Sequence, residues 1–181
     1  MLLILIALLC VLSVPLAGGD LRRLADLEFR HPGLAGAALG LQVGIVNVVP
    51  GGDHAVHVGL HLFSYALAAW FAAANIRTPG IAVIAAGGAL NLIAIVANGG
   101  IMPTDPTALK RSGLTMGDGF SNSAALAHPQ LSALGEIIAV PAGPVANVLS
   151  VGDLILFAGL VLLMHSSTRR AGPARGPHLA G

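Results

Sequence analysis

"AVHVGLHLFSYALAAWFAAANIRTPGIAVIAAGGALNLIAIVANGG", residues 55–100, contains two long apolar runs joined by a short link. The runs cover 55–74 and 80–97, and the link between them carries Arg77. A helix needs roughly 17–25 mostly apolar residues to cross a bilayer. Both runs have this length, so the stretch predicts a pair of membrane-spanning helices.

Three further apolar runs have similar character: Met1–Ala17, Leu34–Val49 and roughly Val145–Met164. The first lacks the basic residues that open a signal peptide, so we interpret it as a retained helix. The predicted fold is therefore all-α, a polytopic membrane helix bundle of about five transmembrane helices. Residues 1–165 form one transmembrane domain in this interpretation, and 166–181 form a disordered cytoplasmic tail.

The composition agrees with a membrane protein and excludes several other classes. Only 9% of the residues are charged, whereas soluble domains carry about 25%. A formal net charge of +1 without a basic stripe argues against nucleic-acid binding. A single cysteine, Cys10, excludes a disulfide or a cysteine-based metal site within one chain.

The basic residues predict the orientation, because Lys and Arg collect on the cytoplasmic side. Seven lie in the first link, the third link and the tail: Arg22, Arg23, Arg30, Arg77, Arg169, Arg170 and Arg175. The long segment 98–144 holds only Lys110 and Arg111. With five crossings, this bias puts the N-terminus outside and the C-terminus in the cytoplasm.

Segment 98–144 is too long for an ordinary link, and loops of this length are usually functional or disordered. We expect it to form one long outer loop. Within it, "LSALGEIIAV" at 131–140 has apolar residues near helical spacing and ends at Pro141. This pattern predicts a short helix lying on the outer membrane surface.

The second apolar run repeats a small residue every fourth position, at Gly36, Gly40 and Gly44. Such a stripe lets two helix backbones approach closely. Two interpretations stay open, close packing within one chain and a homo-oligomer interface. The bilayer is the other predicted partner, and the sequence does not name a protein partner.

Histidines recur on one face of the third run, where His57 and His61 lie one helical turn apart. Neutral imidazole is a common ligand of transition metals, so both are candidate metal ligands. The alternative is that they donate hydrogen bonds to neighbouring helices. One straight helix rarely supplies a complete metal site, and the sequence does not identify a cofactor.

Asp153 lies at the head of the last apolar run and has two possible roles. Ser150-Val-Gly-Asp153 fits a capping box, in which Ser150 caps the helix and Asp153 reaches back. A helix from Val151 to Met164 would be only about 21 Å long at the standard rise. In either geometry the carboxylate lies below the membrane surface, where ionisable groups are functional candidates.

Parts of the chain resemble a family of uncharacterised bacterial integral membrane proteins, classed only as a domain of unknown function. The resemblance is carried by "LNLIAIVANGGIMPTDPTAL" (90–109) and "FSNSAALAHPQLSALGEIIAVPAGPVANVLSVGDLILFAG" (120–159), with their NGGxMP, SNS and NxxSxGD motifs. The opening helix, the basic link and Gln42 are also similar. The resemblance implies a bacterial cell membrane, but no activity, substrate or cofactor. Family members usually have Asp where this chain has Glu136.

These polar motifs define the candidate ligand-binding residues: Asn98, Ser121, Asn122, Ser123, Glu136, Asn147, Ser150 and Asp153. Such side chains can bind a polar head group, a sugar or a cation, or can satisfy the backbone of a folded loop. The sequence favours a non-enzymatic membrane protein that binds a ligand or serves as an accessory protein through its outer loop. A small membrane enzyme acting on a lipid-linked substrate, and a small carrier or ion-conducting protein, are the alternatives.

Overall fold

The computed structural model describes residues 2–47, 54–115 and 123–168. Its helices are α1 (Leu2–Leu16), α2 (Pro32–Asn47), α3 (His54–Ala74), α4 (Ile81–Ala97), α5 (Pro106–Arg111) and α6 (Val151–Thr168). All except α5 fall within or across the five predicted apolar runs. The chain is therefore mostly helical, as the apolar patterning predicts.

Among the described residues, two helices are long and apolar enough to cross a membrane, namely Ala55–Ala74 and Val151–Thr168. The other apolar helices are shorter, at Leu5–Leu16, Pro32–Ile45 and Ile81–Ala97. The helical character of the predicted runs is thus confirmed, whereas the number of crossings stays a prediction.

The α4 and α6 helices pack antiparallel through glycines. A Cβ on Gly87 would lie 2.5 Å from the backbone oxygen of Gly152, and a Cβ on Gly159 would lie 2.6 Å from the backbone nitrogen of Ile84. Gly80, just before α4, is equally close to Gly159. Because a side chain would overlap the opposite backbone at each position, these glycines allow the two helices to touch.

The glycine stripe of α2 does not make such contacts. A Cβ placed on Gly36, Gly40 or Gly44 would meet nothing within 4 Å. The expectation that this stripe packs closely within one chain is therefore wrong, because the close approach occurs between α4 and α6 instead. A homo-oligomer interface at these glycines stays a prediction.

In its described parts, 98–115 and 123–150, the long segment between α4 and α6 contains four short strands. β1 (Met102–Pro103) pairs in parallel with β2 (Ser123–Ala124), and β3 (Glu136–Val140) pairs antiparallel with β4 (Asn147–Ser150). The short helix α5 begins after Asp105, whose side chain accepts the Ala108 backbone N–H at 2.7 Å. The segment is thus a small folded layer rather than an open loop.

The prediction of a helix at 131–140 is wrong. Residues Ser132–Leu134 form one 3₁₀ turn, and Gly135 then takes an extended conformation that leads into β3. A Cβ on Gly135 would overlap the backbone oxygen of Pro103, so the chain passes close to β1 there. Ile137, Ile138 and Val140 are β-branched and favour a paired strand over a helix.

The bounds predicted for the last apolar run are also wrong at both ends. Residues 147–150 pair as β4, so α6 begins at Val151 rather than near Val145. The helix continues through Thr168, so the first residues of the predicted tail are helical. The rest of that tail, the end of the second run at Val48–Val49 and residues 50–53 of the second link lie outside the described residues.

One end of the bundle gathers the predicted cytoplasmic links. The Asp20 backbone N–H donates to the Thr168 oxygen at 2.9 Å, which joins the first link to the end of α6. The Asn75 side chain bonds the backbone of Arg30, which joins the same link to the end of α3. The layer of short strands lies at the opposite end of α4 and α6.

We predict that Gly87→Ala will destabilise the protein by about 1–3 kcal/mol, as expected when a tight contact is overpacked. Gly88→Ala is the matched control, because a Cβ there meets nothing within 4 Å. It should be neutral or stabilising by up to about 1 kcal/mol, since Ala is the better helix former. Thermal unfolding in detergent measures both, and equal unfolding temperatures would contradict the packing described here.

Candidate functional site

Ser150 and Asp153 form the capping box that the sequence indicates. The Ser150 backbone N–H donates to Asp153 Oδ2 at 2.9 Å, and the Asp153 backbone N–H donates to Ser150 Oγ at 3.0 Å. Because β4 runs directly into α6, this cap lies at the junction of the strand layer and the bundle. Ser150 is fully buried.

Asn91 of α4 ties the cap to the neighbouring helix. Asn91 Nδ2 donates to Asp153 Oδ1 at 2.8 Å, and Ser150 Oγ donates to Asn91 Oδ1 at 2.9 Å. A Cβ on Gly152 would overlap the Asn91 side chain. Both Asp153 oxygens therefore accept a hydrogen bond, and the amide of a buried asparagine is satisfied.

Glu136 supplies the second carboxylate, from the start of β3. Thr104 Oγ1 donates to its Oε2 at 2.6 Å, and Ser123 Oγ donates to its Oε1 at 2.8 Å. Burial raises the pKa of Glu136, and the nearby charge of Asp153 raises this pKa as well, while the two hydroxyl bonds oppose the shift. The two carboxylates are thus electrostatically coupled.

Both carboxylates line one cavity of about 190 Å³ beneath the strand layer, which we call the carboxylate cavity. Its walls come from four helices and the strand layer: Gln42, His61, Tyr65, Asn91, Ile95, Met102, Ser123, Glu136 and Asp153. None of these residues is a lysine or an arginine. With both carboxylates ionised, the cavity carries two formal negative charges and no fixed positive charge.

His61 is the unusual member of the carboxylate cavity. The side chain is only 4% exposed, and neither ring nitrogen has a hydrogen-bond partner among the described residues. Its ring meets Tyr65 edge-on, with 5.3 Å between ring centroids. Buried polar groups are normally hydrogen-bonded, so this imidazole has bonding capacity that the described protein groups leave unused.

Gln42 of α2 reaches the same region through Ser64. Gln42 Nε2 donates to Ser64 Oγ at 3.1 Å, and Ser64 Oγ donates to the His61 backbone oxygen at 2.6 Å. These two bonds hold the glutamine beside the helical turn that carries the histidine. The carboxylate cavity therefore has ordered polar walls on the α2–α3 side as well.

The structure brings together part of the candidate set. Ser123, Glu136 and Asp153 line the carboxylate cavity, and Ser150 supports it from behind. His61, which the sequence predicts to be a metal ligand or a donor of hydrogen bonds to neighbouring helices, joins them. Ser121 and Asn122 lie outside the described residues.

Asn98 and Asn147 have a different position. Asn98 Nδ2 donates to the oxygens of Ala94 and Gln130, and Asn98 Oδ1 accepts the Gln130 N–H. Asn147 Oδ1 accepts the next backbone N–H, from Val148. Neither residue lines the cavity, and both fix backbone at the edges of the strand layer.

His57 is buried but does not line the carboxylate cavity. Among the described residues, no group of three His, Cys, Asp or Glu side chains is arranged to hold a metal ion. A metal at His57 and His61 stays a prediction, and no step below depends on one.

The sequence reasoning missed Gln42, Tyr65 and Thr104 as site residues and left Asn91 unassigned. One signal for Asn91 was visible, because a carboxamide within an apolar helix needs a partner. Tyr65 lies one helical turn after His61, which places the two on one face of α3. Thr104 had no such signal, because its position depends on how the strand layer folds.

We predict that Glu136→Gln will change how stability depends on pH. A raised carboxyl pKa means that the folded protein keeps its proton at a pH where the unfolded chain releases it. The stability contributed by this group therefore falls as the pH rises through the ordinary and then the raised pKa. Relative to Glu136→Gln, the wild type should lose unfolding temperature as the pH rises from the acid to the neutral range, beginning near the ordinary glutamate pKa of about 4.3.

Thermal scans of both proteins across that range measure the difference. Glu28→Gln is the control, because it removes an exposed carboxylate at the other end of the bundle. An unfolding-temperature difference between wild type and Glu136→Gln that is constant with pH would contradict the assigned environment of Glu136.

Comparison with known protein families shows one to which most of the chain is similar. The sequence pattern of a family of unknown function, DUF5317, matches residues 26–165. The match covers most of the helices and the whole strand layer, and it confirms the resemblance to a domain of unknown function. Comparisons with curated proteins and with solved structures find no match. The chain belongs to the DUF5317 family of unknown function.

Proposed function

We propose that this chain is a multi-pass membrane protein that binds a small organic cation in the carboxylate cavity. The ligand class is an amine in its ammonium form. The observation that carries the proposal is that Asp153, Glu136 and His61 line one cavity without a lysine or arginine in its lining, and that neither ring nitrogen of His61 has a hydrogen-bond partner among the described residues.

The charge of the cavity is the first argument for a cation. Two carboxylates in a partly buried space repel each other and lose hydration, and both costs fall when a positive charge lies between them. Each carboxylate oxygen already accepts one bond from the protein. An ionised carboxylate has about four acceptor positions, so N–H donors of a ligand can still be accommodated.

The remaining walls favour an organic cation over a hard metal ion. Calcium takes six to eight oxygen ligands at short distance, whereas each carboxylate oxygen here already accepts a protein hydrogen bond and no group of three His, Cys, Asp or Glu side chains is arranged for a metal among the described residues. Ile95 and Met102 offer apolar surface for a carbon skeleton, and Tyr65 offers an aromatic ring to the cationic group. A neutral His61 nitrogen accepts an N–H from the same group.

A membrane location is supported by apolar side chains on the outside of the helices. Leu8, Leu9 and Leu12 of α1 are 55%, 55% and 58% exposed, and Phe63 of α3 is 55% exposed. Soluble monomers rarely expose contiguous apolar patches of this kind, whereas lipid is their natural solvent. In the proposed topology the basic links face the cytoplasm and the carboxylate cavity opens toward the outer face.

The enzyme and the carrier stay alternatives to simple binding. The described acid–base groups of the cavity, Glu136, Asp153 and His61, are compatible with either, and they do not include an activated nucleophile. The proposed function is therefore binding, as a receptor-like or accessory protein. Uptake of the bound amine into proteoliposomes separates a carrier from a binding protein.

We predict that purified protein in detergent will be stabilised by primary alkylammonium chlorides, tested from methylammonium to butylammonium against sodium chloride at equal ionic strength. Asp153→Asn and Glu136→Gln should each weaken binding at least about tenfold, because each removes one charge-assisted hydrogen-bond partner. Binding should strengthen as the pH rises through the raised pKa of Glu136. Thermal-shift titration and calorimetry measure these effects.

Asp26→Asn is the matched control, since it removes an exposed carboxylate far from the cavity, and it should bind as the wild type does. Glu136→Gln leaves the cap of α6 intact, so its loss of binding does not depend on helix stability. The proposal fails if no alkylammonium ion stabilises the wild type beyond sodium. It also fails if both cavity variants bind normally.

A further inference from the structure

A second cavity lies at the opposite end of the bundle, where the first link meets the end of α3. Its volume is about 550 Å³, and it is lined by Glu28, Arg30, Ala73, Ala74, Asn75, Ile76, Arg77 and Thr78. We name it the arginine cavity. We propose that it binds a phosphate group, from a lipid head group or from a soluble phosphate monoester, and this proposal does not depend on the cation site.

Asn75 builds the cavity by holding the two basic segments together. Its Oδ1 accepts the Arg30 N–H at 2.7 Å, and its Nδ2 donates to the Arg30 oxygen at 2.9 Å and to the Phe71 oxygen at 2.8 Å. The side chain is only 5% exposed. The backbone of Arg30 is therefore fixed against the end of α3. Arg77 lies two residues after Asn75 in the sequence, and both arginines line the arginine cavity.

Aromatic contacts anchor the residues on either side of Arg30. The Phe29 and Phe71 ring centroids are 5.5 Å apart, and the His31 and Trp70 centroids are 6.4 Å apart. Phe29 and Phe71 also pack on a buried cluster of Ala72, Ile81 and Leu163. Because the backbone is already ordered, a ligand loses less free energy in fixing the site than it would on a flexible loop.

The charges of the cavity are available to a ligand. Neither arginine has an ion pair or a side-chain hydrogen bond among the described residues, and Glu28 has none either. Two guanidinium groups and one carboxylate leave the cavity with a net positive charge. Guanidinium matches phosphate geometry in a two-pronged hydrogen bond, which makes this ligand class the best fit.

The position of the cavity suits a lipid head group. Trp70, about one helical turn before the end of α3, is 62% exposed, and Ile76 is 49% exposed. Exposed tryptophan is typical of the membrane–water interface, and basic residues just beyond an apolar helix contact anionic head groups. Arg30 and Arg77 therefore lie where lipid phosphates are found in the proposed membrane orientation.

The test uses the full chain in detergent, with phosphatidylglycerol, phosphatidylcholine and glycerol 3-phosphate as probes, followed by native mass spectrometry. We expect retained phosphatidylglycerol on the wild type and at least about tenfold weaker retention in Arg30→Gln/Arg77→Gln, from loss of two charge-assisted contacts. Arg22→Gln/Arg111→Gln removes the same charge outside the cavity and should bind normally. Glu28→Gln should bind phosphatidylglycerol at least about twofold more tightly, because it removes a carboxylate that repels the phosphate group.

The probes separate the two sources of phosphate. If glycerol 3-phosphate displaces the lipid from the wild type, the phosphate group alone is recognised. If only phosphatidylglycerol binds and the cavity variant loses it, the ligand is a lipid head group held with its acyl chains. Equal retention by the cavity variant and the charge-matched control overturns the proposal, as does an absence of any phosphate-bearing ligand on the wild type.

Discussion

The hydrogen-bonded set of Asn91, Ser150 and Asp153 is the interaction on which the arrangement of this protein depends. Its hydrogen bonds satisfy the backbone N–H groups of Ser150 and Asp153 at the start of α6 and join this turn to Asn91 of α4. The strand β4 ends at the same point. Each of the three side chains satisfies a polar group that would otherwise be buried without a partner, which costs about 1–3 kcal/mol for each group. Each member bonds to both of the others, so removing one leaves at least one polar atom of each remaining residue without its partner.

The same set explains why a carboxylate is tolerated between apolar helices. Both carboxylate oxygens of Asp153 accept a hydrogen bond, and the side chain lies in the first turn of α6, so its polar atoms are not buried without partners. Glu136, by contrast, receives only hydroxyl donors, and burial holds the pKa of its carboxyl above the usual range.

Apolar run length was sufficient to predict the helical segments, because lipid-compatible helices are encoded locally. The capping box at Ser150 could also be predicted, since it depends on two residues three positions apart. The strand layer could not be predicted from local patterns, because β3 and β4 are short and each depends on its partner. For the same reason "LSALGEIIAV" was assigned to a helix.

The candidate site also has features that could be predicted from the sequence and features that could not. Glu136 and Asp153 were identified as carboxylates in unusual positions, but their shared cavity depends on tertiary contacts that no spacing rule encodes. Gln42 and Tyr65 lie on α2 and α3, far in sequence from the motifs, and only the packing brings them to the cavity. The glycines show the same limit of sequence-based prediction. The regular stripe on α2 predicted a close helix contact, whereas isolated glycines on α4 and α6 make that contact.

In the proposed multi-pass topology, the shortness of α2 and α4 has a consequence for the surrounding membrane. The α4 helix has 17 residues and α2 has 16, which at the standard rise is about 24–26 Å. A typical hydrocarbon core is about 30 Å thick. Because α4 is fixed to α6 by glycine contacts, neither helix can slide to lengthen its apolar span. In the proposed multi-pass topology, α2 and α4 would compress the lipid at the protein's perimeter, and this hydrophobic mismatch would favour the thinner membranes of a cell.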